Sequence, residues 1–176
     1  MATDRRDTHP QETHQRDEGA GSANPASASE AADPLKLHAL DSDDLAVISA
    51  HLQHAQLRMG DLAYLPNEQR FALCVGRYEW EHDPESPRRR RLTGLHFERV
   101  LGAQMRNLDP RIRETALELI AIGFEPGDAP SGAVVLFFAD DRALRLEVEC
   151  IEAQMRDMGP VWEADPPPPI ETEENE

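Results

Sequence analysis

The stretch SGAVVLFFADDRALRLEVECIEAQMRDMG, Ser131 to Gly159, decides how the chain is read. Ala133 to Phe138 is an unbroken apolar run of strand length, which fits a strand covered on both faces. Ala139-Asp140-Asp141-Arg142 interrupts it. Leu144, Leu146, Val148 and Cys150 then alternate with Arg145, Glu147 and Glu149, the pattern of a strand with one wet face. The short polar gap predicts a hairpin. Past Cys150 the period changes. Ile151, Met155 and Met158 are four and three apart, which suits one side of a helix. Gly159 suits the left-handed residue beyond a helix end, and Pro160 stops continuation. The stretch therefore predicts strand, tight turn, strand and a closing helix.

The same patterns extend toward the amino end. Leu35 to Leu40 alternates and predicts a first strand. Asp41 or Ser42 suits a helix N-cap, and Leu45, Ile48, Leu52 and Ala55 follow at helical spacing. Gln56 to Leu65 reads as strand broken at Gly60-Asp61, and Pro66 to Gln69 as a turn. Arg70 to Glu81, Leu92 to Arg106 and Ala116 to Phe124 read as further strands. In the second of these, one parity is apolar except for Arg99. Six or seven strands with short connections favour antiparallel neighbours. The expected class is α+β, mostly antiparallel β curved into a small barrel or open sandwich. An N-terminal helix precedes it and a C-terminal helix closes it. That element order is similar to pleckstrin-homology-like domains. An antiparallel sheet with helices on one face is the alternative.

Composition sets the boundaries. Residues 1–33 hold almost no large apolar side chain and carry a net charge of −4. Residues 163–176 contain Pro166 to Pro169 and six acids without a base, net −6. Both are expected to be disordered tails, because neither can bury enough surface to offset its ordering entropy. One globular domain is expected over 34–162. Of the total charge of −16, the tails account for −10. That acidity disfavours nucleic acid and anionic membranes as partners. No apolar run is long enough to span a bilayer, and no secretory signal is expected. Cys74 and Cys150, the two cysteines, read as buried reduced thiols of a cytoplasmic protein, with a single disulfide as the alternative.

Four segments carry a resemblance. They are Leu35 to Gln53, Gly60-Asp61-Leu62-Ala63-Tyr64-Leu65-Pro66, the arginine run into Gly94-Leu95-His96-Phe97, and Leu146 to Ala153 with Gly159-Pro160. Together they resemble a bacterial, mostly alphaproteobacterial, family whose conserved domain has no assigned chemistry. The resemblance covers about 35–162. It implies a bacterial, cytoplasmic setting and transfers no catalytic residue, cofactor or metal.

Candidate sites follow from side-chain chemistry. Arg88, Arg89, Arg90 and Arg91 form the sharpest local feature, since guanidinium forks grip phosphate or carboxylate with paired hydrogen bonds. His96 and Arg99 are the residues that would complete such an anion site. The commoner origin of a basic run is a solvated sheet edge. Nucleic acid is disfavoured further, because no aromatic side chains interleave with the run in sequence. His51 and His54 share a helix side but lack a third ligand at metal-site spacing. Glu147 and Glu149 share a strand face with Arg145 to neutralise them. Met155, Met158 and Trp162 read as an apolar group that closes the core. The leading expectation is a non-enzymatic binding or adaptor domain presenting strand edges or a groove to a protein partner. The alternative is an anion- or phosphometabolite-binding module, or a small enzyme, built on Arg88–Arg91 with Arg99 or His96.

Overall fold

A computed structural model describes residues 33–81, 85 and 87–165. The acidic tail expected at 1–33 lies outside these residues except for Asp33. The Pro/Glu-rich tail lies outside them beyond Asp165. In chain order the elements are β1 (Lys36–Ala39), α1 (Ser42–His51), β2 (Ala55–Arg58), β3 (Leu62–Leu65), β4 (Arg70–Tyr78) and β5 (Arg89–Phe97). Then come β6 (Val100–Arg106), β7 (Ala116–Pro126), β8 (Gly132–Phe138), β9 (Arg142–Val148) and β10 (Ala153–Glu163). The strands form one antiparallel sheet in the order β1-β10-β5-β4-β2-β7-β8-β9-β6, with β3 also paired to β4. The sheet is open at β1 and β6 and is not closed into a barrel. Its weakest seam is between β2 and β4, which share one paired position, Gln56 opposite Gly76.

The expected hairpin is β8–β9, with Val134 opposite Leu146 and Leu136 opposite Leu144, all four buried. Asp140 and Asp141 hold the left-handed φ values, 63° and 54°, of its tight turn. Helix α1 is the single α-helix among the described residues. Asp41 caps it by accepting from Asp44 N–H at 2.8 Å, satisfying one of the orphan amides of a helix start. Leu45, Ile48 and the cap residue Leu52 turn inward. They pack in one apolar cluster with Phe71, Leu95, Phe97, Leu119, Leu144 and Met155.

Two expectations are corrected. Among the described residues no helix follows Cys150: Ala153–Glu163 is the long strand β10, paired with β5 on one side and β1 on the other. Ala153, Met155 and Asp157 are buried while Arg156 and Met158 are exposed, so the true period is two. With no closing helix and no closed barrel, the likeness to pleckstrin-homology-like domains falls away. The second concerns Leu92 to Arg106, which is two strands rather than one. Arg99 sits at φ 58° between β5 and β6, and its side chain is 54 % exposed. The charge that interrupts the apolar face is therefore a turn residue in water, paired to Glu152 at 3.2 Å and Glu149 at 3.5 Å.

Candidate functional site

Directly opposed residues of β4, β5 and β10 form rows across the sheet. On the inner face these run Phe71–Phe97–Ala153, Leu73–Leu95–Met155, then Val75–Thr93–Asp157. Beyond Val75 the buried layer turns polar. Arg77 is 1 % exposed, Glu79 2 %, Arg91 4 % and Asp157 5 %. A charge in such a place is costly unless paired, and here pairing is dense. Arg77 donates to Asp157 from Nε at 2.8 Å and Nη2 at 2.7 Å, a two-point fork. Thr93 Oγ1 and Leu35 N–H each donate to the same carboxylate at 2.8 Å. Glu79 holds Arg91 at 2.6 Å and Arg89 at 3.1 Å. Arg77 extends to Glu81 at 3.2 Å. Three guanidiniums thus meet three carboxylates.

Burial works to raise the pKa of Asp157, but the Arg77 fork, the Leu35 amide and the Thr93 hydroxyl outweigh it. The carboxyl is held below its ordinary 3.8. A depressed folded-state pKa stabilises the fold wherever the unfolded carboxyl is ionised, above about pH 4, and is lost as pH falls through the folded value. Urea midpoints of the wild type should therefore fall more between pH 7 and pH 3 than those of Asp157→Asn. Equal falls would contradict the assignment.

The arginine run does not share one face. Arg89 and Arg91 enter the network at Glu79. Arg90 points to the outer face. Its guanidinium lies 3.8 Å from the centre of the Tyr78 ring, and Nη1 donates to Gly76 O at 2.7 Å and His54 O at 2.9 Å. Arg88 lies 6.0 Å from the Trp80 ring centre. His96 is half-buried beside Glu98 at 3.4 Å. His51 and His54 pair with Glu81 and Glu118. Among the described residues no group of three His, Cys, Asp or Glu side chains is placed to hold a metal. Strand pairing puts aromatic rings beside the arginines after all. Tyr78 lies opposite Arg90, Trp162 is on Arg90's other side, and the Trp80 ring lies 5.1 Å from that of Tyr78, tilted by 55°. The sequence signal was the spacing of Tyr78 and Trp80, which falls on a neighbouring strand rather than within the run.

The concave feature of this outer face is a groove of about 660 Å³ beside the β2–β4 seam. Between β2 and β3 the chain bows away from β4 through Met59–Asp61. Cys74, Gly76, Leu92 and Gln56 line the gap, with Arg142 at one end and Trp162 as a wall. An irregularity in β10 between Asp157 and Val161 builds that wall. Gly159 there has φ 137°, open to glycine and strained for other residues. A β-bulge redirects side chains, and this one lays Met158 over Gly94 and Trp162 over Gly76. A Cβ on Gly76 would come within 2.8 Å of the Trp162 ring. Met155 closes the core as expected, but Met158 is 48 % and Trp162 42 % exposed. Cys74 and Cys150 are free; Cys74 is exposed in the groove and Cys150 half-buried, so neither is the buried thiol that was expected. Partial desolvation by the groove walls, then the nearby Asp61, push the Cys74 thiol pKa up. A second hollow of about 350 Å³ adjoins the groove at Gln56 and Trp162. In it Tyr78 Oη donates to Asp165 O at 2.7 Å.

Residues 35–169 match the model of a family described as "Protein of unknown function (DUF2948)". No curated protein and no solved structure matches the chain. No helix among the described residues is long and apolar enough to cross a membrane.

Proposed function

We propose that this chain, which belongs to the DUF2948 family of unknown function, is a non-enzymatic binding domain. Its groove beside Trp162 receives an extended segment of a protein partner. One observation carries the reading: a large aromatic side chain is held 42 % exposed over a glycine, at the wall of an open groove with an apolar floor. Exposed Trp and Tyr anchors in such settings dominate binding energy at protein interfaces. A groove lined by alternate residues of neighbouring strands suits an extended peptide. The proposal takes 34–162 as one domain. It places the domain in the cytoplasm, a reducing compartment that fits the two free thiols. The arginine run serves the sheet from within, since Arg89, Arg90 and Arg91 have acids, carbonyls or a ring as neighbours. That leaves the anion-binding alternative without a favouring observation.

The test is affinity purification from the native cell, with a photo-cross-linker on Cys74 and the cross-link mapped by mass spectrometry. A partner cross-linked through an extended segment should lose about tenfold or more of its capture with Trp162→Ala, the cost of one anchor residue. It should be retained with Arg88→Ala. Equal capture by both variants would remove the groove from the function.

A further inference from the structure

We infer that the segment received by the groove is acidic at one end. About three or four residues from the side chain seated against Cys74 it carries an Asp or Glu, which Lys36 and Arg156 hold between them. The inference rests on the groove being a peptide site and names the chemistry of the partner.

Lys36 and Arg156 are directly opposed on β1 and β10. Both are exposed, and both belong to the outer face, since Met155 and Asp157 on either side of Arg156 turn inward. Like charges facing each other across antiparallel strands repel and weaken the pairing. Among the described residues no carboxylate pairs with either cation. Asp157 faces inward onto Arg77, and Glu98 is taken by Arg70 and His96. Keeping a strand edge from stray pairing accounts for a lysine on the short edge strand β1. It does not account for an arginine one strand further in. Two adjacent cations left without an acid, in a chain of net charge −16, make a receptor for a carboxylate.

The pair continues the groove. One row of opposed residues crosses the outer face as Lys36–Arg156–Gly94–Cys74. Cys74 lines the groove. Gly94 leaves its place to Met158, whose sulfur lies 3.1 Å from where a Cβ would stand and which is 48 % exposed. A flexible apolar methionine is a step on which a crossing chain can pack. Neighbouring strands are about 4.8 Å apart, so Arg156 and Lys36 stand about 10 and 14 Å from Cys74. An extended chain advances about 3.3 Å per residue, which sets the spacing.

The probe is a phage-displayed library of random dodecapeptides, selected against the full chain. It should enrich peptides with Asp or Glu at that spacing from an apolar residue. The strongest binder, made as a fluorescein-labelled peptide, should bind about fivefold more weakly to Lys36→Gln or Arg156→Gln, the upper end for an exposed ion pair. The loss should shrink as salt is added. A chain with both Lys36→Glu and Arg156→Glu should select Lys or Arg at the same spacing. Relieving a like-charge pair should leave the urea midpoint of either Gln variant unchanged or raised. A midpoint lowered along with the binding would make the pair structural and overturn the inference. Displacement of the peptide by duplex DNA at equal charge would assign the pair to nucleic-acid phosphate and overturn it too. Enriched peptides without an acid at that spacing would overturn this inference and leave the groove reading standing. Enrichment unchanged by Trp162→Ala, with the acid still selected, would keep the basic pair and defeat the groove reading. Enrichment from neither chain would defeat both.

Discussion

Changing Asp157 to Ala is expected to destabilise the folded chain by about 3–5 kcal/mol, the cost of leaving a buried charge without its partner. Asp157 is fully enclosed and takes four hydrogen bonds, two from Arg77 and one each from Thr93 and Leu35 N–H. Removing it takes both forked hydrogen bonds from the Arg77 guanidinium in a site that is 1 % exposed, leaving it Glu81 and the Tyr78 carbonyl. It also removes the acceptor of Leu35 N–H, 2.8 Å away where the chain enters β1, and leaves the main-chain bond from Asp157 N–H to Leu35 O to hold that strand alone. Domains of this size are stable by only about 5–15 kcal/mol in all, so the change removes about a fifth of the margin or more. Asp157→Asn keeps the shape and some hydrogen bonds and should cost less. Urea unfolding followed by circular dichroism measures both. A loss under about 1 kcal/mol for Asp157→Ala, within the usual scatter of ordinary substitutions, would mean the network is not the internal strut described.

Arg91→Ala is expected to cost about as much, about 3–5 kcal/mol, because among the described residues it leaves the buried Glu79 with Arg89 as its ion-pair partner. Arg88→Ala, three positions earlier in the same run, should cost about 1 kcal/mol or less. Arg88 is half-buried, and the contact with it is a ring 6.0 Å away, an arrangement worth about 0.5–1 kcal/mol at partly exposed sites. The contrast separates two accounts of one sequence feature. A solvated edge or an anion site would make neighbouring arginines interchangeable for stability. An internal network makes them alternate, since successive side chains of β5 point to opposite faces. A double change, Arg91→Ala with Glu79→Gln, should cost less than the two separately by about 1 kcal/mol or more, the sign of direct coupling. Additive losses would place Glu79 and Arg91 in separate environments.

Much of the fold could be read from apolar periodicity. The β8–β9 hairpin, the break at Met59–Asp61 and the inward residues of α1 all follow from side chains whose burial matches their polarity. The reading failed where polarity and burial part company. In Ala153–Glu163 the inward residue after Ala153 and Met155 is Asp157, a charge. With that position taken as wet, Ile151, Met155 and Met158 mimic a helix face. The rule that wins is long-range pairing: β10 has partners on both sides, and a carboxylate becomes an acceptable core residue once Arg77 meets it. The same holds for the site. Arg88 to Arg91 looked like one patch because sequence gives neighbours but not faces. The groove itself is built by the β10 irregularity and two glycines that admit Trp162 and Met158. Gly159-Pro160 was visible as a breaker, yet a breaker reads alike at a helix end and in a kinked strand. Nothing local says that Gly76 will lie beneath Trp162, 86 positions away.

The pairing of β1 with β10, Lys36 opposite Arg156 and Ala39 opposite Ala153, sets a schedule for synthesis. A ribosome releases the first strand well over a hundred residues before its hydrogen-bonding mate has been translated. At about 5–20 residues per second, the nascent chain waits roughly ten seconds with that register unfilled. The short β1 carries Lys36 and His38 outward, and a charged, four-residue ribbon is a poor template for stray association in the interval. A stalled or prematurely terminated chain would leave β5 without the neighbour that normally covers it. Such fragments should be preferred clients of chaperones and proteases, well ahead of the finished molecule.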